Sequence, residues 1–553
     1  NSTATRQENP AVAQEPILNG NEVTLNPSGG SVQATLSYTL RSLNQPALGV
    51  TPLKLKVEIK EAMINSIVTT QNVSTSSTTN LPYSYSVPVN GVQTPYLLTW
   101  YMDEACTTPA EYNYTPISNQ TLYGKTSKYP LLPDSAITMS GSAITNINTT
   151  TADFAIPAKV GTVNVTTLQG CCKNNTSIKN VELPYGITNI IHVDNYGAFE
   201  GCTSLASITI PSSVTVIGTW AFYNCRALAS INIPSNVTNI EWKAFWGCSS
   251  LANITIPSSV KSIGGAAFQD CPALATVTFE PNSQLTSING SAFQGCSSLA
   301  SVTIPSSVTS IGDSTFEGCT ALASITIPSS VTSIGSRAFY NCSALTSITI
   351  PSSVTSIGGE TFNYCANLES INVDNNNTQY KSIDGNLYSK DGTKFLYYCR
   401  GKKSTSFTFP NSVTSIGSHA VSSCVALTSI TIPSSVTSLE SWAFYNCRAL
   451  VGIAIPSSVT SIGGGAFESC VKLADITIPA NVTSIAGWAF SGCSSLALVT
   501  ILRDATPITS LGKSAFLSCH ADLKIKVPSG KVEEYKSATN WTTYESKIGA
   551  IGS

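Results

Sequence analysis

The sequence predicts a mainly β solenoid with short helical or 3₁₀ turns, preceded by a small β domain. The first observation is a 23-residue unit that recurs along most of the 553-residue chain. The second is a cysteine that closes almost every copy, and the third is a strand-like alternation of apolar and polar residues within each copy. A single copy cannot bury its own apolar side chains, so the copies must stack as rungs, and we count roughly 15 of them.

One copy of the unit, residues 202–225, reads CTSLASITIPSSVTVIGTWAFYNC. The spacing L-x-x-I-x-I from Leu205 predicts a strand, and Pro211 ends it because proline has no N–H to donate to a neighbouring strand. The segment VTVI then turns apolar side chains inward again, and Gly218 permits a corner. The A-F-x-x-C stretch that ends at Cys225 is typical of a short helical or 3₁₀ turn whose apolar side chains face inward.

The motif L-x-x-I-x-I-P-x-x-V-x-x-I-G-x-x-A-F-x-x-C resembles the BspA-type leucine-rich repeats of bacterial and protist surface proteins, over residues 159–520. The resemblance implies a leucine-rich-repeat solenoid that binds host matrix proteins or neighbouring cells. The usual asparagine-ladder position is Ser213 here, and we expect Cys225 and its equivalents to supply the small polar group of the interior. A degenerate first rung has Asn175 at the cysteine position and Cys172 at the phenylalanine position.

Most of the 17 cysteines recur at one inward position per rung, where we expect a column of thirteen buried thiols: Cys202, Cys225, Cys248, Cys271, Cys296, Cys319, Cys342, Cys365, Cys424, Cys447, Cys470, Cys493 and Cys519. Parallel side chains on adjacent rungs keep their Cβ atoms about 4.8 Å apart, beyond the roughly 3.5–4.5 Å of a disulfide. Four cysteines lie outside the column: Cys106, Cys171, Cys172 and Cys399. The three histidines fall on different rungs and zinc-type spacing is absent, so no metal site is predicted.

The extent of the repeat sets the predicted domain boundaries. Residues 1–20 are expected to be a flexible tether that begins the chain after a signal segment was trimmed. Residues 21–130 predict a β-rich domain, Ig-like or β-grasp-like, and residues 131–158 a linker or adaptor. The solenoid covers residues 159–520 and carries a hairpin insertion at about 374–409. Residues 521–553 form a C-terminal cap, in which a helix from about Lys531 to Ala538 precedes Trp541 and Tyr544, which cover the last rung.

Part of the N-terminal domain, TWYMDEACTTPAEYNYTPISNQTLYGK, resembles the closing half of the Listeria–Bacteroides repeat, a small β-grasp-like module of secreted proteins. The residues that carry this resemblance are Trp100, Tyr101, Asp103, Cys106, Thr107, Pro109, Leu122 and Tyr123. This second resemblance also favours a surface protein.

Two surfaces are candidates for partner binding. In the insertion, Asp391-Gly392 between aromatic-rich runs predicts a hairpin. It is either a contact patch or a tolerated insertion that completes one or two rungs. Its candidate contact residues are Tyr388, Lys390, Lys394, Tyr397 and Arg400.

The second surface is the concave strand face, where outward positions beside each inward isoleucine carry short polar side chains. It is either a broad surface for weak binding of extended protein or glycan ligands, or a face that these residues simply keep soluble. Its candidate contact residues include Ser324, Thr326, Ser347 and Thr349.

The composition argues against several function classes. Only 11% of residues are charged, and 29 basic and 31 acidic residues nearly cancel, so neither nucleic acid nor an anionic membrane is an expected partner. The sequence has no apolar stretch of about 18 residues, so no transmembrane helix is predicted. His192 and Asp194 are close in sequence, but a loop explains them better than half of a catalytic triad, and no P-loop, GxGxxG or HExxH string occurs. We therefore predict a non-catalytic protein without a cofactor or metal.

The predicted function is that of a cell-surface or secreted, adhesin-like protein, extracellular or attached to a cell surface. Its expected partners are extracellular proteins, a host matrix or another cell surface. A structural spacer that displays the N-terminal domain is one alternative, and a glycan-binding surface protein is another. Binding by the repeat array itself would separate the first hypothesis from the spacer.

Overall fold

A computed structural model shows a mainly β chain, about 4% helical, in which a β-solenoid of about 18 turns runs from residue 143 onward and a small β region precedes it. It describes residues 124–552 apart from 507 and 509, and before them residues 81, 83–86, 93–102 and 122, together with the backbone of the strands given below. The predicted fold class is confirmed. The solenoid starts within the segment predicted as a linker, because Ala143–Ile147 already pairs in parallel with Thr167–Gln169.

The chain divides into two compact units. The first comprises residues 1–261 and 280–282, and the second comprises residues 262–279 and 283–553. Each unit is described by itself below.

The N-terminal part of the first unit is a largely antiparallel sheet of nine strands, beside a separate pair formed by Thr79–Asn80 and Asn113–Tyr114. Two predictions for this part, the side chains of Asp103, Cys106 and Thr107 and most of the tether 1–20, fall outside the described residues. Trp100 and Leu122 are buried. The nine strands are Ile17–Asn19, Glu22–Thr24, Gln33–Ala34, Leu55–Glu58, Ile67–Val73, Ser84–Val89, Val92–Tyr101, Pro109–Ala110 and Gln120–Pro130.

Most turns of the solenoid part of the first unit have two strands, and most of these strands pair in parallel with the equivalent strand of a neighbouring turn. The first strands, which correspond to the L-x-x-I-x-I motif, include Asp153–Ala155, Asn180–Glu182, Ser207–Thr209 and Asn253–Ile256. The second strands are Ala143–Ile147, Thr167–Gln169, Asn189–Ile191, Val216–Ile217 and Asn239–Ile240. Further strands are Ile137–Ser140, Lys159–Val160 and Val163–Asn164, and a 3₁₀ turn spans Asp134–Ala136.

The second unit continues the same design. Its first strands are Thr276–Phe279, Ser301–Thr303, Ser324–Thr326, Ser347–Ile350, Ser370–Val373, Ser406–Thr408, Ser429–Thr431, Gly452–Ile453, Asp475–Ile478, Leu498–Ile501, Lys524–Val527 and Ile548–Ala550. Its second strands are Ser262–Ile263, Ser287–Ile288, Ser310–Ile311, Ser333–Ile334, Ser356–Ile357, Ser415–Ile416, Ser438–Leu439, Ser461–Ile462, Ser484–Ile485 and Ser510–Leu511. The repeated sequence pattern thus forms two parallel strand ladders, and a regular turn contributes one strand to each of them.

Stacked phenylalanines form the centre of the core. In the second unit Phe316 lies between Phe293 and Phe339, with ring centroids 5.7 and 5.6 Å away and planes within 8° of parallel. Phe199, Phe222 and Phe245 stack in the same way in the first unit. Each stacked ring buries a large apolar surface, so the column ties every turn to its neighbours.

The cysteine column is buried as predicted except at the half-buried Cys519, and none of its thirteen cysteines forms a disulfide. Most of these thiols donate a hydrogen bond to a carbonyl of the preceding turn; for example, Cys342 Sγ lies 3.2 Å from the Phe316 oxygen and Cys225 Sγ 3.1 Å from the Phe199 oxygen. Cys424 Sγ instead lies 3.9 Å from the Ser422 oxygen of its own turn. In the degenerate first rung Cys172 takes the phenylalanine position as predicted, since its carbonyl accepts from Cys202 Sγ at 3.0 Å.

A serine ladder runs beside the thiols. Ser213 Oγ donates to the Ile187 oxygen at 2.7 Å, and Ser330 Oγ donates to the Val308 oxygen at 2.6 Å. The serine at the usual asparagine position therefore donates a hydrogen bond to a main-chain carbonyl of the preceding turn, as the thiols do. The serines and the thiols together provide donors for interior carbonyls that would otherwise lack a hydrogen-bond partner.

The thiol column makes a testable prediction. Burial raises the pKa of Cys319 and of Cys365 to about 12, and the thiolate is the reactive form. We expect a thiol-reactive dye to leave the column unlabelled in the folded chain and to label most of the thirteen cysteines in denaturant without reductant, counted by mass spectrometry. Labelling of only one or two in denaturant would instead indicate a disulfide ladder.

The insertion forms a three-stranded antiparallel meander of Tyr380–Ile383, Asn386–Ser389 and Lys394–Tyr397. Its last strand pairs in parallel with Ser415–Ile416, so the insertion is built into the second-strand ladder. The predicted Asp391-Gly392 turn is confirmed: Gly392 has φ 79°, and Asp391 accepts from the Ser389 hydroxyl at 2.6 Å and the Thr393 amide at 3.0 Å. These hydrogen bonds lower the pKa of Asp391 to about 2.

The C-terminal segment covers the last turn of the second unit. A 3₁₀ turn at Ser529–Lys531 leads into the helix Val532–Ser537, and a second 3₁₀ segment spans Thr542–Lys547. Trp541 is buried, and its Nε1–H donates to the Ile508 oxygen at 2.8 Å. Trp541 and Tyr544 both contact the ring of Phe516, as predicted for residues that cover the end of the column.

Candidate functional site

The exposed side chains that differ most between turns lie next to the buried Ala-Phe pair of each A-F-x-x-C stretch. We call this surface the turn face; it consists of the two residues before the pair and the two after it. The backbone is fixed here because each turn makes its own i−3 hydrogen bonds, such as Cys225 N to the Phe222 oxygen at 3.2 Å. The backbone of each turn also donates hydrogen bonds to the next turn, as Phe222 N does to the Ala244 oxygen at 2.8 Å. The side chains are therefore held at regular spacing.

The second position of the turn face has a positive φ, which favours glycine, and Gly465 shows that glycine is accepted there. Even so, Trp220, Trp442 and Trp488 occupy this position with φ between 54° and 56°. A bulky residue in this conformation is uncommon and costs on the order of 1–3 kcal/mol. Because backbone geometry does not select tryptophan, these side chains point to a role on the surface.

In the second unit the turn face carries an aromatic–arginine cluster, defined by Arg337, Tyr340, Glu360, Tyr364, Arg400, His419, Trp442 and Tyr445. Arg337 pairs with Glu360 at 2.9 Å and lies over the Tyr340 ring, 5.1 Å from its centroid. Tyr340 contacts Tyr364 at a centroid distance of 5.0 Å. These contacts connect residues of adjacent turns into one patch.

The other half of the cluster continues from the same glutamate. His419 Nε2 lies 3.9 Å from Glu360 Oε1, and its ring stacks on Trp442 at 5.1 Å with planes 16° apart. Trp442 is 36% exposed, while Tyr445 is half-buried. Burial lowers the pKa of His419, which favours the neutral imidazole, and Glu360 opposes this shift only in part.

Arg400 joins the cluster from the strand end of the insertion. Its guanidinium lies over the rings of Tyr364 and Tyr397, 5.2 and 5.8 Å from their centroids, and its Nη2 donates to Asn363 Oδ1 at 3.3 Å. Its Nε is buried without a hydrogen-bond partner among the described residues.

The first unit carries an aromatic–lysine cluster on its turn face and the adjoining loop: His192, Trp220, Tyr223, Trp242, Lys243 and Trp246. Tyr223 stacks on Trp246 at 4.6 Å, and Trp220 contacts Trp242 at 5.1 Å. Lys243 Nζ lies 4.4 Å from the Trp242 ring centroid, and Trp242 is 44% exposed. His192, considered above as half of a triad, packs edge-on against Trp220 at 5.9 Å.

The hairpin prediction needs a correction. Tyr388 and Tyr397 are buried, at 1% and 5% exposure, because they fill the core where the insertion replaces a regular turn. The Tyr397 hydroxyl donates to the Phe362 oxygen, and its ring contacts Phe362 where the insertion interrupts the phenylalanine column. These two tyrosines cannot form a contact patch.

The two hairpin lysines stay at the surface. Lys390 is exposed, and its Nζ donates to the Asn375 oxygen at 3.0 Å. Lys394 Nζ forms an ion pair with Glu440 at 2.9 Å. Only Arg400, of the five predicted hairpin residues, reaches the aromatic–arginine cluster.

The strand-face residues lie where the alternation places them. Ser324 and Thr326 are exposed on either side of buried Ile325, and Ser347 and Thr349 flank buried Ile348. Thr326 pairs in register with Thr303, which makes the face a flat ladder of short polar side chains. Among the described residues of this face, none of the outward strand positions carries the aromatic or arginine anchors of strong interfaces.

Sequence reasoning missed the turn face. The signal was present, because the copies repeat IPSSVTSIG almost unchanged while the residues beside Ala-Phe vary among Trp, Tyr, Arg, Lys, His, Glu and Ser. Recurrence identifies the buried positions of each copy, whereas the turn-face positions are the ones that vary between copies. Within the described part of the chain no group of three or more potential ligands is arranged for a metal ion. No helix among the described residues is long and apolar enough to cross a bilayer.

Together, the parallel ladders, the buried thiol and phenylalanine columns and the variable turn face define a leucine-rich-repeat solenoid of the kind that acts as a protein-interaction scaffold. The family model for the BspA type leucine rich repeat region matches residues 166–299, 286–390 and 393–530, well over half of the chain. This chain belongs to that family. Its members are bacterial surface proteins and are generally non-enzymatic.

Solved structures of bacterial leucine-rich repeat proteins are similar to this one. A leucine rich cell surface protein from Faecalibacterium prausnitzii A2-165 has 29% identity and a TM-score of 0.52, with 73% of this chain and 97% of that chain covered. A leucine-rich repeat protein from Bacteroides ovatus has 26% identity and a TM-score of 0.48, over 75% of this chain and 97% of that one. One from Eubacterium ventriosum has 30% identity and a TM-score of 0.42, over 56% and 74%. Among curated proteins, none matches this chain.

Proposed function

We propose that this chain is an extracellular or surface-attached, adhesin-like recognition protein that binds extracellular proteins or another cell surface through its turn face. The observation that carries the proposal is the aromatic–arginine cluster. Only 11% of the residues are charged, yet here two arginines, a glutamate, a tryptophan and three tyrosines are joined in one surface patch. Tryptophan, tyrosine and arginine are the residue types that dominate the binding energy of protein interfaces.

Pre-organisation supports the proposal. The side chains of the cluster hold one another through an ion pair, two stacked or tilted ring contacts and cation–π contacts. A partner therefore meets side chains that are already ordered, and less conformational entropy is lost on binding. The strand face, in contrast, offers short side chains with little area for any single contact.

Substitutions on the two faces test this proposal. In the full-length chain, the double change Arg337→Ala and Trp442→Ala is expected to weaken binding to immobilised matrix proteins or cells by at least about tenfold, because each removes an anchor of the patch. The matched control, Thr326→Arg with Thr349→Arg, places bulky charges on the strand face and should leave binding unchanged. Binding and thermal stability are measured on the same preparations.

Each other outcome assigns a different role. If only the strand-face pair abolishes binding, the short polar ladder is the recognition surface and the turn face is not. If the chain binds only through residues 1–130, so that neither pair of substitutions has an effect, the solenoid is a spacer. Saturable binding to polysaccharides in place of proteins would favour the glycan-binding alternative.

A further inference from the structure

The charge balance of the aromatic–arginine cluster is incomplete. Arg337 has Glu360 as its carboxylate partner at 2.9 Å, and the same glutamate is the acidic neighbour of His419 at 3.9 Å. Arg400 has no carboxylate partner among the described residues. Among the described residues it contacts two tyrosine rings and the Asn363 side-chain oxygen, and it lies near buried thiols.

Burial makes this imbalance costly. Arg400 is half-buried, and its Nε is fully buried with no hydrogen-bond acceptor among the described residues. A partly buried guanidinium without a counter-ion loses hydration that ring contacts and a neutral amide replace only in part. A carboxylate compensates this loss better, since arginine presents a planar fork that matches two carboxylate oxygens.

The surroundings restrict what can carry that carboxylate. The Arg400 guanidinium lies over the ring of Tyr364, which is hydrogen-bonded to Tyr445. The exposed ring of Trp442 stacks on His419 in the same cluster, so an approaching chain meets aromatic surface beside the arginines. Aromatic rings with a nearby cation fit the side chains and backbone of an acidic peptide that also has apolar residues.

Resting on the proposed function, we infer that the aromatic–arginine cluster receives an acidic peptide segment of the partner protein, with a glutamate or aspartate carboxylate at Arg400 and Arg337. Arg400 neutralises the incoming charge, and Trp442 and Tyr364 contact the flanking residues. Neither the repeat pattern nor the family match assigns such a site.

The test uses the full-length chain and a fluorescein-labelled peptide of alternating glutamate and tyrosine residues, with the glutamine–tyrosine peptide as its matched control. Fluorescence anisotropy is expected to show saturable binding of the acidic peptide that weakens with added salt, and at least about tenfold weaker binding of the neutral peptide. Equal binding of the two peptides would overturn the inference. Tighter binding of polygalacturonate than of the peptide would also overturn it and assign the carboxylate to a glycan.

Variants locate the site. Arg400→Gln is expected to weaken acidic-peptide binding at least about tenfold, while Arg226→Gln, at an exposed arginine outside the cluster, leaves it unchanged. Because Arg400 is half-buried, circular dichroism checks the fold of the variant. The exposed Trp442→Ala provides a second, independent reading and should lower affinity several-fold. Peptide binding unaffected by both cluster variants would exclude this site.

The acidic-peptide site and the proposed recognition function can be disproved separately. If the Arg400→Gln protein still binds matrix proteins or cells like the wild type, the acidic-peptide inference is wrong and the proposed recognition function stands. If the wild-type chain binds no protein or cell at all, the proposed function fails whatever the peptide does.

Discussion

Replacing Phe316 by alanine is expected to destabilise its region of the solenoid by about 3–5 kcal/mol. Phe316 is fully buried and stacks on both Phe293 and Phe339, so the change removes two ring contacts and leaves a cavity in the column. Because a solenoid is stabilised by contacts between neighbouring turns, the loss should be greatest in the turns on either side. Native-state hydrogen exchange of the backbone amides of Gly318 and Cys342 measures it.

The control for this prediction is Thr326→Ala, an exposed strand position in the same unit, which should change stability by no more than about 0.5 kcal/mol. Phe316→Leu keeps most of the apolar volume and should fall between the two. If Phe316→Ala left exchange unchanged, the column would not be the element that couples the turns.

Replacing Trp541 by alanine is expected to have an effect of similar size, about 3–5 kcal/mol, at the C-terminal end of the solenoid. Trp541 is fully buried, contacts the rings of Phe516 and Tyr535 and donates to the Ile508 oxygen. Without it, the last phenylalanine of the column is exposed to water, and the final turns should open first. Limited proteolysis and the thermal midpoint report this change.

Trp488 provides the matched control, because it is the same residue type in the same unit but 51% exposed. Trp488→Ala should change stability by no more than about 0.5 kcal/mol. Trp541→Phe keeps an aromatic ring but loses part of the buried ring volume and the indole hydrogen bond, which is worth about 1 kcal/mol, so its effect should be smaller than that of Trp541→Ala. Equal effects of Trp541→Ala and Trp488→Ala would show that the C-terminal segment does not cap the solenoid.

The sequence predicted more of the interior than of the surface. Leu205, Ile208, Phe222 and Cys225 recur because each must fill the same space against its equivalents, so their periodicity reports burial directly. In the insertion, periodicity does not report burial. Its aromatic residues were assigned to the surface because they lie in an aperiodic segment, whereas Tyr388 and Tyr397 replace the missing core residues of the turns that the insertion interrupts.

The sequence by itself determined the solenoid, its buried thiol column, the hairpin at Asp391-Gly392 and the aromatic cover at Trp541, since each depends on local chemistry or on a period. Only the tertiary structure decided which exposed residues act together. Glu360 and His419 are 59 positions apart in the chain, yet the insertion between them folds into the ladder and brings their turn-face positions within 3.9 Å. The stacking of the turns decides which exposed residues become neighbours, and the local sequence around either residue does not show this stacking.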